Sequence, residues 1–283
     1  MSDLPVTVYT PDSPLRTPGK LFRDMWQDLL SARELAWRLF LRDVRAQYRS
    51  SALGYIWVFI PPLVASLPFV FLNAQGVVTI GSTPIPYAAY AIIGTTIWQV
   101  FADALNAPLR AVINARGMLA RINMPREAIL MSALAQVGLG FFVRFLLVIG
   151  VFAWFRLVPP ATALLFPLGI LSLIMLGSFL GLLVTPLGLL YGDVQQALPM
   201  FATFLMLLTP VVYPVPQSGF AAVIAQYNPL TPLVVTTRDW LTTGDTTHAA
   251  AFIAVTAGAT VLLFVVWVVF RVATPHLVAR LGN

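Results

Sequence analysis

Between Arg49 and Asp103 the chain carries no charged side chain; residues 50–102 form an uncharged interval of 53 residues. A helix needs about 20 apolar residues to cross a bilayer, so the interval holds two crossings, at 52–72 and 87–105. Residues 73–86, with Gly76, Gly81, Pro84 and Pro86, read as the turn between them. The same reasoning gives four more crossings, at 128–155, 163–190, 197–213 and 249–270. Only Arg144 interrupts the first of these. The expectation is an all-α, polytopic membrane protein with six transmembrane helices. Composition agrees: 10% of the 283 residues are charged, and the mean hydropathy is +0.84. A soluble domain of this size cannot bury so much apolar surface.

Ahead of the uncharged interval, residues 34–49 have helical periodicity. Trp37, Phe40, Leu41, Val44 and Tyr48 recur at steps of three and four and share one face. Arg38, Arg42, Arg45 and Arg49 occupy a second face. One face suits acyl chains and the other phosphates, the pattern of an interfacial helix. Residues 22–49 are therefore assigned to one amphipathic segment lying along the membrane. Residues 1–21, with Pro5, Pro11, Pro14 and Pro18, read as a mobile tail. No cleavable signal peptide is expected, since the first apolar run begins after Ser50. Pro61, Pro62 and Pro68 are expected to kink the first crossing.

Topology follows from the basic residues. Of the 17 Lys and Arg, 8 precede the first crossing, 4 lie in residues 106–127 and 2 in the C-terminal segment, whereas the opposite side has Arg156 and Arg238. The positive-inside rule places both termini in the cytoplasm, with 272–283 as a cytoplasmic tail. The net charge of +6 is thus read as topology, and no nucleic-acid partner is expected. Residues 214–245 remain open between an outer loop and a re-entrant hairpin.

Several chemistries are poorly supported. There is no cysteine, which removes disulfides and thiolate sites. The single lysine is Lys20, and no phosphate-binding loop motif is present, so ATP is not expected to bind this chain. His248 and His276 are far apart, and no metal site is expected. The acids Asp103, Glu127 and Asp193 sit at the edges of crossings, which argues against proton-driven transport and against a membrane enzyme. Arg144 inside the membrane costs about 2.5–3.5 kcal/mol on insertion scales. It reads either as a contact for an anionic substrate, or as a structural cation paired with Asp103 or freed carbonyls, or as a snorkelling side chain. Tyr55 with Phe59, and Phe201 with Phe204, are aromatic pairs at helical spacing that suit stacking on sugar rings or ordinary packing.

Four stretches carry a family resemblance: LRDVRAQYRSSALGYIWVFIPPL at 41–63, NARGMLARINMPREAIL at 114–130, YGDVQQALPMFATFLMLLTPVVYPVP at 191–216, and NPLTPLVVTTRDWLTTG at 228–244. With the order of elements, they resemble the membrane subunit of type-two ABC exporters, in particular the Wzm-like permeases that export O-antigen, capsule or teichoic acid. Gly192 departs from the pattern, where the family often carries an arginine. The resemblance implies a homodimer, two copies of a separate cytoplasmic ATPase carrying the ATP and magnesium, and no cofactor in this chain. It implies a polysaccharide on a polyprenyl diphosphate lipid, and a bacterial inner membrane. It also implies that residues 22–49 form an interface helix at the lipid head groups (Arg38, Arg42, Arg45, Tyr48, Arg49). A coupling helix would lie among Asn114, Arg116, Met118, Leu119, Arg121, Pro125, Arg126 and Glu127, and a translocation path would use Tyr55, Phe59, Arg144, Phe201 and Phe204. Pro108 and Pro125 bracket a short helix expected at 111–123, with Arg116 and Arg121 exposed and Val112, Ile113, Met118 and Leu119 supplying apolar grip. A same-fold exporter of small drugs or lipids is the main alternative; neighbouring glycosyltransferase genes would separate the two.

Overall fold

The computed structural model describes residues 18–49, 53–77, 80–119 and 125–281. Among the described residues there are nine α-helices and no strand. They are α1 (Pro18–Arg49), α2 (Ile60–Ala74), α3 (Tyr87–Leu119), α4 (Arg126–Phe155), α5 (Phe166–Leu190), α6 (Gly192–Leu208), α7 (Gly219–Tyr227), α8 (Leu230–Thr242) and α9 (Ala249–Leu281). Short 3-10 turns, Gly54–Val58 and Ala161–Leu165, lead into α2 and α5. Among the described residues, four helical stretches are long and apolar enough to cross a membrane: Tyr87–Met118, Arg126–Phe155, Ala161–Leu190 and Ala249–Arg271. The elements at the other two expected crossings are shorter, with 15 residues in α2 and 17 in α6.

The interior is built around α3, whose Ala89, Ile93, Ile97, Phe101 and Leu105 are fully enclosed. Helix α5 lies closest to it. Gly181 makes this possible, because a Cβ there would stand 2.3 Å from the Leu105 carbonyl oxygen. Small residues let backbones approach in this way, and dispersion then replaces the hydrophobic drive that lipid does not supply.

Four expectations change. First, the short helix at 111–123 is not separate; α3 continues through Pro108 to Leu119, and residues 120–124, including Arg121, lie outside the described residues. An interior proline removes one backbone donor and strains one turn, which is tolerable where packing on α5 holds both sides. Secondly, Pro61 and Pro62 do not kink a crossing. They occupy the first turn of α2, where the missing N–H has no helical partner to lose; the break lies before them, at the 3-10 turn. Thirdly, α1 begins at Pro18 and α9 runs on to Leu281, so the amphipathic segment is longer and the last helix extends through the expected tail. Fourthly, the set expected to face acyl chains is split: Trp37 stays outward at 57% exposure, whereas Phe40 is buried in a protein-facing stripe with Met25, Ala32, Ala36 and Leu39. Ala32 and Ala36 admit α4 at Ala128 and Ile129, so the contact forms on the small residues, while Trp26 and Trp37 are left outward.

Residues 214–245 hold two short helices, α7 and α8. Helix α8 is buried along nearly its whole length, packed on α3, α5 and α9. Its Trp240 meets Phe252 of α9 with ring centroids 4.8 Å apart.

Candidate functional site

Polar groups concentrate in three places. The first is a cavity of about 600 Å³ between α1, α3 and α4. Arg144 stands in its wall, with a side chain 7% exposed. Its Nη2 pairs with Asp103 Oδ2 at 2.6 Å, and its Nε donates to the Val58 carbonyl at 3.2 Å. Gln99 donates to the other Asp103 oxygen at 2.9 Å. Arg144 is thus held both by Asp103 and by a carbonyl left free where the 3-10 turn gives way to α2. Its Nη1 has no hydrogen-bond partner. Further along the cavity Arg42 donates to Asp43 Oδ1 at 2.8 Å and to Met118 Sδ at 3.1 Å.

The second place is an ion cluster binding three helices at the same end of the bundle. Arg271 of α9 pairs with Glu127 of α4 at 2.8 Å and with Asp28 of α1. Glu127 is buried, and Arg126 donates to the Arg271 carbonyl at 3.5 Å. Beside it Arg116 of α3 donates to the Leu189 carbonyl of α5 at 2.6 Å.

The third place surrounds Arg238 of α8, which is 2% exposed. Its guanidinium lies over the Tyr90 ring, 3.8 Å from the centroid. It donates to the Pro210 and Val211 carbonyls at 3.3 and 3.1 Å. These carbonyls are free because α6 stops at Leu208, and residues 209–213 run on without helical bonds. The same stretch is fastened by Tyr90, whose hydroxyl donates to the Tyr213 carbonyl at 3.2 Å, and by Asn228, whose amide donates to Thr209 Oγ1 at 2.8 Å. Gly94 lets it lie against α3, since a Cβ there would be 2.2 Å from the Val211 carbonyl oxygen. After α8, the Thr247 hydroxyl and amide hold the exposed Asp245 carboxyl below the usual carboxylate range.

On α1, Arg38 is exposed and paired with Glu34 at 2.6 Å, Arg45 and Arg49 are exposed, and Arg42 turns into the cavity. Tyr48 lies on α1, its side chain outside what is described. In the expected coupling set, Asn114 and Met118 line the cavity, Pro125 begins α4 in extended conformation, and Leu119 ends α3. Glu127 and Arg126 belong to the ion cluster. In the expected path, Tyr55, Phe201 and Phe204 are exposed and Phe59 is half-buried before α2. None of these four lines the cavity that Arg144 borders, although Phe59 follows Val58, whose carbonyl Arg144 holds.

Sequence reasoning counted Arg238 merely as an outer charge. The available signal was its position in LTPLVVTTRDWL, an apolar helical run in which a lone arginine needs buried partners. The roles of Asp28, Tyr90 and Asn228 had no local signal, since each partner is distant in sequence.

Comparison with known proteins places these features in context. The sequence profile of the ABC-2 type transporter family matches residues 34–241. An O-antigen export system permease protein RfbA of Klebsiella pneumoniae is 26% identical over 212 residues, covering 72% of this chain and 78% of that protein. The protein of that name from Myxococcus xanthus is 22% identical over 218 residues, covering 76% and 81%.

Proposed function

The chain belongs to the ABC-2 type transporter family, and from that premise we propose that it is the membrane permease of a polysaccharide exporter. It is a multi-pass transport subunit whose work comes from an ATPase partner. In this reading two copies of the chain assemble with two copies of a cytoplasmic ATPase that carries the ATP and magnesium. The cargo is an O-antigen-like glycan on a polyprenyl diphosphate lipid, and no covalent chemistry occurs in the permease. The naming of relatives 22–26% identical over most of both chains supports the cargo.

The chain sits in the bacterial inner membrane with both termini in the cytoplasm. It crosses six times, with α2 and α6 each lengthened by the irregular segment beside it. Arg38, Arg45 and Arg49 of α1 face lipid phosphates while Arg42 turns into the cavity, and Tyr55, Phe59, Phe201 and Phe204 offer aromatic surface toward the glycan.

The observation that carries the coupling role is the ion cluster. Arg271, Glu127 and Asp28 join α9, α4 and α1 at the first turn of α4. A push on the α3–α4 connection therefore reaches three helices as one body. The residues Asn114, Arg116, Met118, Leu119, Arg121 and Pro125 are assigned to contact the ATPase, with Arg126 and Glu127 transmitting the push. The test is co-purification of the chain with a candidate ATPase, followed by deletion of either gene. Lipid-linked glycan accumulating inside the cell in both deletions supports the reading. Normal glycan export in the permease deletion would overturn it, and assembly with the ATPase without glycan accumulation would favour a drug or lipid exporter.

A further inference from the structure

We propose that the cavity between α1, α3 and α4 is a phosphate-binding site, in which Arg144 and Arg110 grip one phosphoryl group. The proposal holds whether or not the exported cargo is a glycan. It starts from the charges that line the cavity: Arg42, Arg110 and Arg144 against Asp43 and Asp103. Both acids are already matched, Asp43 by Arg42 at 2.7 Å and Asp103 by Arg144 at 2.6 Å. Arg110 has no ion pair among the described residues. Arg144 keeps one N–H group, Nη1, buried and without an acceptor. The cavity thus holds one unmatched cation and one orphan guanidinium donor, and an anion satisfies both.

The geometry suits such an anion. Arg110 lies seven residues beyond Asp103 on α3, about 10 Å along the same face. Asn114 continues that face and lines the cavity with an amide. Gly140 forms the wall beside the guanidinium; a Cβ there would stand 3.6 Å from Nη1 and 3.7 Å from Nη2. The glycine puts no side chain against the guanidinium, so a rotation of Arg144 brings the buried Nη1 to the cavity. Guanidinium groups match phosphate oxygens with two parallel donors and are weakly hydrated, which favours this pairing in a semi-enclosed site. A phosphate arrives either on a lipid head group or free from solution.

The test uses the purified full-length chain in phosphatidylcholine nanodiscs. One arm adds 20% phosphatidylglycerol and counts retained anionic lipids by native mass spectrometry; the other titrates inorganic phosphate and pyrophosphate by calorimetry. Arg110→Gln and Gly140→Ala are the cavity variants. The alanine makes ordinary contact, so the fold is kept while the guanidinium is covered. Arg156→Gln, at the exposed C-terminal end of α4 and outside every proposed binding surface, is the control. Binding at least ten-fold weaker in both cavity variants and within two-fold of the parent in Arg156→Gln supports the site. Dependence in the lipid arm assigns the phosphate to a head group, and dependence in the titration assigns it to solution. If neither probe binds, or if all three variants weaken binding alike, there is no phosphate site here. Export is not measured in this assay, so its outcome is independent of the fate of the glycan reading.

Discussion

Arg144 and Arg238 are both buried, and both donate to backbone carbonyls at a place where a helix is broken. Arg144 takes the Val58 carbonyl just before α2; Arg238 takes Pro210 and Val211 just after α6. The broken elements are the two expected crossings that are shorter than a bilayer span, α2 and α6. In an apolar setting each freed carbonyl needs a donor from the protein, and here a guanidinium supplies it. The two sites differ in what balances the charge. Arg144 has a carboxylate at 2.6 Å and borders a cavity. Arg238 has an aromatic face at 3.8 Å, with Asp239 no nearer than 4.0 Å, and is enclosed. Each guanidinium keeps one buried N–H without a hydrogen-bond partner, Nη1 of Arg144 and Nε of Arg238, so the difference lies in the space beside them, and the enclosed cation is structural. One that borders space with a spare donor can also meet a ligand.

The largest expected effect is at the enclosed site. Arg238→Met strips donors from two buried carbonyls and leaves Asp239 beside no cation. Loss of a buried charge partner costs about 3–5 kcal/mol, so fluorescence-detected size exclusion should show little folded protein. Arg238→Lys keeps a cation over Tyr90 without the fork and should recover part of the yield. Equal yields for Met and the parent would remove the claim that Arg238 closes the α6 break.

At the open site the single change is milder and repairable. Arg144→Met leaves Asp103 unpaired, but that carboxylate keeps 27% exposure and reaches the cavity. We expect a loss of about 2–3 kcal/mol, below the range for fully buried pairs. The double variant Arg144→Met with Asp103→Leu should be more stable than Arg144→Met alone, because no uncompensated charge remains. Thermal unfolding in detergent reads both. A double variant less stable than either single one would mean that the Val58 carbonyl, not Asp103, is the partner that matters.

A smaller change separates ring from hydroxyl at the enclosed site. Tyr90→Phe preserves the face under Arg238 and deletes the donor to Tyr213, a neutral hydrogen bond worth about 1 kcal/mol. A thermal shift as large as that of Arg238→Met would show that the hydroxyl, rather than the cation on the ring, fastens residues 209–213.

The broad architecture was legible because its signals are long: uncharged runs near bilayer length, and arginines clustered in particular loops. Arg144 was legible as an anomaly and Asp103 as its possible partner. Arg238 was not, because Pro214 and Pro216 and the polar run after Thr236 read locally as loop, and its partners Tyr90, Pro210 and Val211 belong to other segments. The protein-facing stripe of α1 was not legible for a similar reason. Periodicity located the apolar residues, but Ala32 and Ala36 carried too little hydrophobicity to mark the contact that their size permits. The end of α3 was misplaced because a proline was weighed as a break without the α5 packing that spans it.

The smallest expected change in stability, and the sharpest functional one, is at the rim of the open site. Met118 accepts a contact from Arg42, so Met118→Asp substitutes a carboxylate for the sulfur opposite the same guanidinium. The new pair is partly exposed and worth about 0–1 kcal/mol, which leaves folding and insertion unchanged. Yet the change removes apolar surface from the end of α3, where the proposed ATPase contact lies, and adds a charge there. We expect the permease to elute as a folded peak at the parent's position while pull-down of the ATPase is lost. The exposed Arg45→Gln change on α1, outside the proposed contact, should leave pull-down intact. If Met118→Asp still retains the ATPase as the parent does, the contact does not use the end of α3. The rim of the open site would then be a head-group surface alone, and the comparison of the two arginines would reduce to their burial.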